Sequence, residues 1–295
     1  VVCLAVAPVL ADACLRRRLD PLPFLLALAC SANIGSALTL IGNPQNMLIG
    51  EDLKLSFSGY VAEAAVPVVA GLALTWAILV VQARGRWQAD GAAQAAPERR
   101  EGEALDRWQT AKGLAIAGAL LLAFLLTTWP REVAALVGAG LLLLSRRLHS
   151  SRMLGLVDWE LLVLFIGLFV VNHAIRETGL TERAVAEMAA AGLDLQEPGM
   201  LFAATFILSN IVSNVPAVML LLPVATDPLA GPMLALVSTL AGNLLIVGSI
   251  ANIIVVDAAA RQGIHIAWQR HAKVGLPVTV ATLGVTALWF WWRWH

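Results

Sequence analysis

The sequence predicts an all-α polytopic membrane protein, an inverted-repeat architecture of re-entrant hairpins and broken helices. Three observations carry that expectation. The 295 residues are 59% hydrophobic and only 14% charged, with a mean hydropathy of +0.78, whereas a soluble domain carries about 25% charged residues. Residues 31–50, SANIGSALTLIGNPQNMLIG, interrupt an otherwise apolar run with Asn, Gly, Pro and Gln. Residues 238–258, STLAGNLLIVGSIANIIVVDA, interrupt a second one. A bilayer offers no water to loose backbone groups, so broken backbone at membrane depth must line a cavity or lie buried in protein. Two interrupted spans in corresponding places are the sequence mark of a midplane binding site.

The elements follow from apolar runs of roughly 20 residues. A short first run, 1–15, stops at Arg16-Arg17-Arg18. The second, 22–50, holds the first break, and the third covers 60–82. Residues 1–82 thus make up the rest of a first repeat. Residues 83–110 are rich in Ala, Gln, Glu and Arg and read as a solvated linker. The second repeat takes 111–295. Its scaffold spans lie within 111–175, and TERAVAEMAAAG, 181–192, reads as an amphipathic helix in the interface plane. Residues 199–225 are apolar but cut at SNIVSNVP, which predicts a hairpin. The second broken helix is 231–258. The last span, 274–292, ends in Trp289, Trp291, Trp292 and Trp294, an aromatic interface belt.

Charge sets an orientation. If 1–15 and 199–225 belong to hairpins that return to the side they came from, fifteen of the twenty Lys and Arg fall on one side and five on the other. A full crossing by 199–225 gives thirteen and seven. The positive-inside rule prefers the hairpin, with the linker cytoplasmic and the C-terminus opposite. Zero net charge argues against a nucleic-acid partner. Cys3, Cys14 and Cys30 sit in apolar runs at no metal-ligand spacing and read as small hydrophobes.

An internal repeat emerges when Pro8 is laid on Pro223. VVCLAVAP then covers PAVMLLLP. Downstream, Gly42 to Asn46 and Gly248 to Asn252 share G-x-x-x-N. The offsets, 215 and 206, differ by a small gap. The register leads to the expectation that the chain is N-terminally truncated, with roughly 100 further residues and a first hairpin tip ahead of Val1.

SANIGSALTLIGNPQN (31–46), VDWELLVLFIGLFVV (157–171), SNIVSNVP (209–216) and VGLPVT (274–279) resemble the ion-transporter superfamily of permeases. That group includes arsenite permeases, D-type sodium/proton antiporters, citrate transporters and divalent-anion:sodium symporters. The resemblance implies a hairpin and a broken helix in each half that cradle substrate and cation, in a scaffold that often dimerises. It also implies a bacterial cytoplasmic membrane. Ser213 and Asn214 match the Ser-Asn-Thr hairpin signature of the dicarboxylate branch, but Val215 replaces its Thr. The SNVP form looks more like the arsenite-permease and antiporter side, and an arsenite-type protein implies an ATPase subunit as partner.

The chemistry of the breaks points the same way. Loose N–H groups suit an anion, and loose carbonyls with Asn and Ser oxygens suit Na⁺. Candidate binding residues are Asn33, Gly35, Ser36, Gly42, Asn43, Pro44, Asn46, Ser213, Asn214, Pro216, Gly242, Asn243, Gly248 and Asn252. The glycines let backbone approach a ligand closely. Asn46, Asn214 and Asn252 are expected to face one shared polar cavity. Asp257 is a candidate proton- or cation-binding carboxylate, or else an i,i+4 partner of Arg261. No Lys or Arg falls within a broken span, so a bound anion needs helix ends and a cotransported cation. No cofactor is expected beyond a coupling ion, Na⁺ or H⁺. An intramembrane enzyme needs paired carboxylates or H-E-x-x-H at depth, and the sequence holds neither. A channel suits a continuous pore better than a closed, broken-helix site.

Overall fold

The structure, a computed structural model, describes residues 2–85, 87–88, 107–127, 129–144, 159–179 and 192–295, with 155, 157, 183, 186, 187 and 190 singly. Most of the linker and most of the expected interfacial helix 181–192 lie outside the described residues. The rest is helical. In chain order the helices are α1 (Val2–Arg16), α2 (Pro21–Ser36), α3 (Pro44–Asp52), α4 (Phe57–Ala83), α5 (Arg107–Leu126), α6 (Arg131–Leu143), α7 (Trp159–Glu177), α8 (Pro198–Val212), α9 (Asn214–Leu221), α10 (Ala230–Ala241), α11 (Ile250–Ala260) and α12 (Trp268–Trp294). Short 3₁₀ turns cover Leu222–Val224 and Ile246–Gly248. Among the described residues, α4, α5 and α12 are long and apolar enough to cross a membrane. The chain is an all-α polytopic membrane protein.

Two compact units form. One holds α1–α4 and α8–α12, the other α5–α7. In the second, α5 packs on α6, where Gly138 admits the Leu120 side chain: a Cβ at 138 would lie 2.7 Å from Leu120 Cδ1.

The first unit is organised around α10. Every residue from Ala230 to Ala241 is buried, so the helix touches only protein. It packs on α2, α3, α4, α8, α9 and α12. Helices α4 and α12 run antiparallel along one flank. Gln82 Nε2 donates to the Lys273 carbonyl at 2.8 Å near one end, and Arg293 Nε donates to Glu63 at 3.1 Å near the other. Helix α1 packs against α2 and α11.

The interruptions have local causes. Helix α2 ends at Ser36 and the chain resumes as α3 only at Pro44. Pro44 lacks an N–H and forces the residue before it out of helical space. Asn43 accordingly sits at φ −142°, ψ 152°. Helix α10 gives way after Ala241, and Ser249 is extended at φ −143°, ψ 136° before α11 begins. Between α8 and α9 a single residue, Ser213, breaks the helix at φ 78°, ψ 160°. That region is essentially reserved for glycine, and a side chain there costs about 1–3 kcal/mol.

Gln196 and Thr226 flank this interrupted segment and are both exposed. If 199–225 is re-entrant, Gln196→Cys and Thr226→Cys, made with Cys3, Cys14 and Cys30 replaced, should label from the same side of the membrane. Labelling from opposite sides would make the segment a full crossing and reverse the orientation of everything after it.

Candidate functional site

The polar residues of the two helix breaks converge in the first unit, around the C-terminal end of α10. Each break first satisfies itself. Asn46, on α3, donates through Nδ2 to the Thr39 carbonyl and to the Tyr60 hydroxyl, both at 3.2 Å. Tyr60 in turn donates to the Ala37 carbonyl at 2.7 Å. Asn252, on α11, donates through Nδ2 to the carbonyls of Gly242 at 2.9 Å and Leu245 at 3.1 Å. Ser36 Oγ donates to the Asn33 carbonyl at 2.6 Å. Unpaired buried carbonyls cost about 1–3 kcal/mol each, which is why amides stand here.

The loops fold so tightly that glycine is obligatory at Gly42, Gly242 and Gly248, a Cβ at 242 lying 2.6 Å from the Gly248 carbonyl oxygen. A Cβ on Gly42 would sit 1.9 Å from the Ser36 carbonyl oxygen, and one on Gly248 2.9 Å from that of Gly242. Gly35 faces open space and has no such constraint.

The breaks are then joined. Thr239 Oγ1 accepts from Asn43 Nδ2 at 3.1 Å and from Gln45 Nε2 at 3.2 Å, and donates to Asn46 Oδ1 at 3.4 Å. Asn33 Nδ2 donates to the Thr239 carbonyl at 2.7 Å and to Asn243 Oδ1 at 3.1 Å, while its Oδ1 accepts from Ser249 Oγ at 2.8 Å. Asn214, opening α9, donates to the Gly248 carbonyl at 3.2 Å and ties the α8–α9 element to the second break. His271 Nε2 lies 3.1 Å from the Asn243 carbonyl.

Of the candidate residues, Asn33, Ser36, Gly42, Asn43, Asn46, Asn214, Gly242, Asn243, Gly248 and Asn252 fall in this one network. Pro44 and Pro216 shape the helix starts of α3 and α9, and Ser213 is the exposed, strained hinge beside Asn214. Asn46 and Asn252 are fully enclosed and turn toward the carbonyls of their own breaks. Asn214 and Asn252 meet at the second break through Gly248 and Gly242, and Asn46 joins them through Thr239. Asp257 stands apart. It lies two turns into α11, exposed, with its carboxylate 2.9 Å from Arg261 Nε.

Sequence reasoning passed over Thr239, Tyr60 and His271. Thr239 reads as an ordinary helix-interior residue until the repeat register sets it against Asn33. Tyr60, the chain's one tyrosine, stood at a span start. His271 lay outside a last span drawn from 274, whereas α12 begins at Trp268.

Several polar atoms of the cluster remain without a partner: Asn214 Oδ1, Asn252 Oδ1 and Asn243 Nδ2, with Ser209 Oγ and Asn210 Oδ1 on α8. Helices α3 and α9, which pack on each other, both begin here without a side-chain cap. By contrast Ser249 caps α11 through the Ala251 N–H at 3.2 Å. The cluster therefore presents loose N–H groups and loose amide oxygens and contains no Lys, Arg, Asp or Glu.

The sequence model of the citrate transporter family (CitMHS) matches residues 1–241. The chain belongs to the citrate transporter family. It is also similar to an uncharacterized transporter of Mycobacterium tuberculosis strain H37Rv, 30% identical over 98% of this chain and 72% of that protein. A silicon efflux transporter, LSI3, of Oryza sativa subsp. japonica is 28% identical over 97% of this chain and 73% of its own length. The inner membrane protein YbiR of Escherichia coli K12 is 31% identical over 85% and 61%. Membership of this family makes the chain a membrane permease, not an enzyme.

The local geometry makes two stability predictions. Asn252→Leu leaves the Gly242 carbonyl unpaired and the Leu245 carbonyl with only the Gly248 N–H at 3.0 Å, and should lower stability in detergent by about 1–3 kcal/mol, read as a drop in the thermal midpoint. An unchanged midpoint would mean that water already satisfies those groups. Ser213→Gly should unfold no more easily than the parent, because it removes the cost of a side chain at positive φ, while Ser213→Val should be less stable than Ser213→Gly by about 1–3 kcal/mol.

Proposed function

We propose that this permease is a secondary active transporter that moves a small anion or oxyanion by alternating access, coupled to Na⁺ or H⁺. One observation carries the reading. Two uncapped helix starts and two unpaired amide oxygens occur in the same buried, uncharged cluster. N–H groups at the starts of α3 and α9 favour negative charge through the helix dipole. Asn214 Oδ1 and Asn252 Oδ1, with nearby carbonyls, are the oxygen donors that a hard cation takes. Without a fixed positive charge, an anion held at the helix ends needs that cation for balance. Substrate and coupling ion are then bound together or not at all.

A second reading is efflux of a metalloid such as arsenite, or Na⁺/H⁺ antiport. A cluster of amides and hydroxyls with no fixed charge matches a neutral, polyhydroxylated solute, and one relative is named as a silicon efflux transporter. An ATPase subunit working with the chain belongs to this reading. Assembly as a homodimer in a bacterial cytoplasmic membrane, with 83–110 cytoplasmic and the C-terminus opposite, belongs to the first. The split of Lys and Arg supports that orientation.

Proteoliposomes test both. Under an imposed Na⁺ or proton gradient, uptake of citrate, phosphate, arsenite and silicic acid should show one gradient-dependent substrate. An anion driven by Na⁺ or protons supports the first reading, and an uncharged hydroxylated solute the second. Asn214→Leu should abolish that flux while membrane insertion persists. Parental uptake by this variant at normal expression would place binding elsewhere.

A further inference from the structure

We propose that Thr239 and Asn33 are reciprocal positioning residues. Each holds the helix break of the opposite half of the chain, so that the two breaks form one latched unit.

A shift of 206 residues lays one break on the other. It takes Asn33 to Thr239, Ser36 to Gly242, Gly42 to Gly248, Asn43 to Ser249 and Asn46 to Asn252. The structure obeys the same shift. Asn43 and Ser249 are both extended, at φ −142° and −143°. Asn46 and Asn252 each bond the carbonyl seven residues earlier, at 3.2 and 3.1 Å. Gly42 closes on Ser36, and Gly248 on Gly242.

The bonds between the halves exchange under this shift. Asn43 Nδ2 donates to Thr239 Oγ1, and Ser249 Oγ donates to Asn33 Oδ1. In both, the residue that opens the second half-helix of one break donates to a side-chain oxygen on the helix leading into the other. Asn33 and Thr239 themselves meet through the Thr239 carbonyl. An incidental contact has no reason to recur with its partners exchanged.

The chemistry leaves little slack. A hydroxyl has one proton and two lone pairs, and Thr239 uses all three on Asn43, Gln45 and Asn46. Asn33 commits both sides of its amide to the second half. Asn33, Gln45, Asn46, Thr239 and Ser249 are buried and Asn43 is half-buried, so opening one break strips partners from the other with little water to replace them. A ligand that reshapes one half-site therefore acts on both. This latch goes beyond the transport reading, and its test does not use transport.

The test is amide hydrogen exchange by mass spectrometry on the full chain in detergent. Thr239→Val keeps shape and removes the hydroxyl. It should speed exchange across 40–48, in the other half of the chain, by about tenfold, the loss of one to two net hydrogen bonds. Asn33→Leu should do the same across 243–252. Thr239→Ser should restore the parental rate. In combination with Asn43→Ala, Thr239→Val should add less than it does alone, because the Asn43 bond is common to both and only the Gln45 and Asn46 bonds are left for it to remove. Acceleration confined to the mutated residue's own half would overturn the latch, as would full additivity. If Thr239→Val does not fold, Asn43→Ala, whose side chain caps no helix, removes only the first crossed bond and should speed 243–252 in the opposite half. Unchanged exchange there would also overturn it. Reciprocal exchange in a protein that moves none of the tested solutes would keep the latch and discard the transport reading. Gradient-driven flux with non-reciprocal exchange would do the opposite.

Discussion

A helix broken where water cannot reach must find a donor for every carbonyl it frees. Most of the first unit follows from that demand. Asn46, Asn252, Asn214 and Tyr60 each turn an N–H or O–H onto a carbonyl at or beside a break. The loops close tightly because those carbonyls must stay within about 3 Å of short side chains. Tight closure then excludes a Cβ at Gly42 and Gly248. Removing the demand, by letting either helix run through, would make the amides a liability in a place where leucine is cheaper.

The self-satisfied part of the network leaves a remainder. Once the carbonyls are paired, what stays available is the opposite end of the amides, Asn214 Oδ1 and Asn252 Oδ1, and the first N–H groups of α3 and α9. A transporter needs a site that holds its cargo weakly enough to release it. Neutral dipoles meet that need better than a buried lysine or aspartate, whose own desolvation would require a permanent partner. Rigidity comes from the paired groups, and in the proposed site recognition would fall to the unpaired ones, often on the same side chain.

The broken helices were legible because their causes are local. Asn-Pro at 43–44, the glycines and the shared G-x-x-x-N mark the interruptions without any knowledge of neighbours. The placement of Asn46 and Asn252 followed from the same motif, although their amides serve their own breaks before anything else. Thr239 was not legible from its surroundings, since a threonine in an apolar helix is unremarked. Its role depends on residues about 200 positions away, and only the repeat register carries that information. Asp257 was ambiguous for the converse reason. Sequence places it on α11 but cannot say which side of the helix is covered, and in the folded chain it reaches Arg261 on the exposed side. His271 was hidden by hydropathy, because Arg270 and Lys273 on either side of it pull the apparent span start inward.

Helix α10 meets neither lipid nor water along its whole length. On a surface that faces only other side chains every polar group must find a partner, as Thr239 does, and the rest of the sequence records volume. Pro, Gly, Ala, Ser and Thr are interleaved with Leu, Met and Val at the widths its neighbours leave, Gly231 admitting Leu53. Interiors packed to crystal density resist added methylenes as they resist unpaired polar groups. The helix thus works as a gauge around which the six helices packed on it are spaced. In a chain whose other surfaces tolerate drift among apolar residues, this one should change slowly and in compensating pairs.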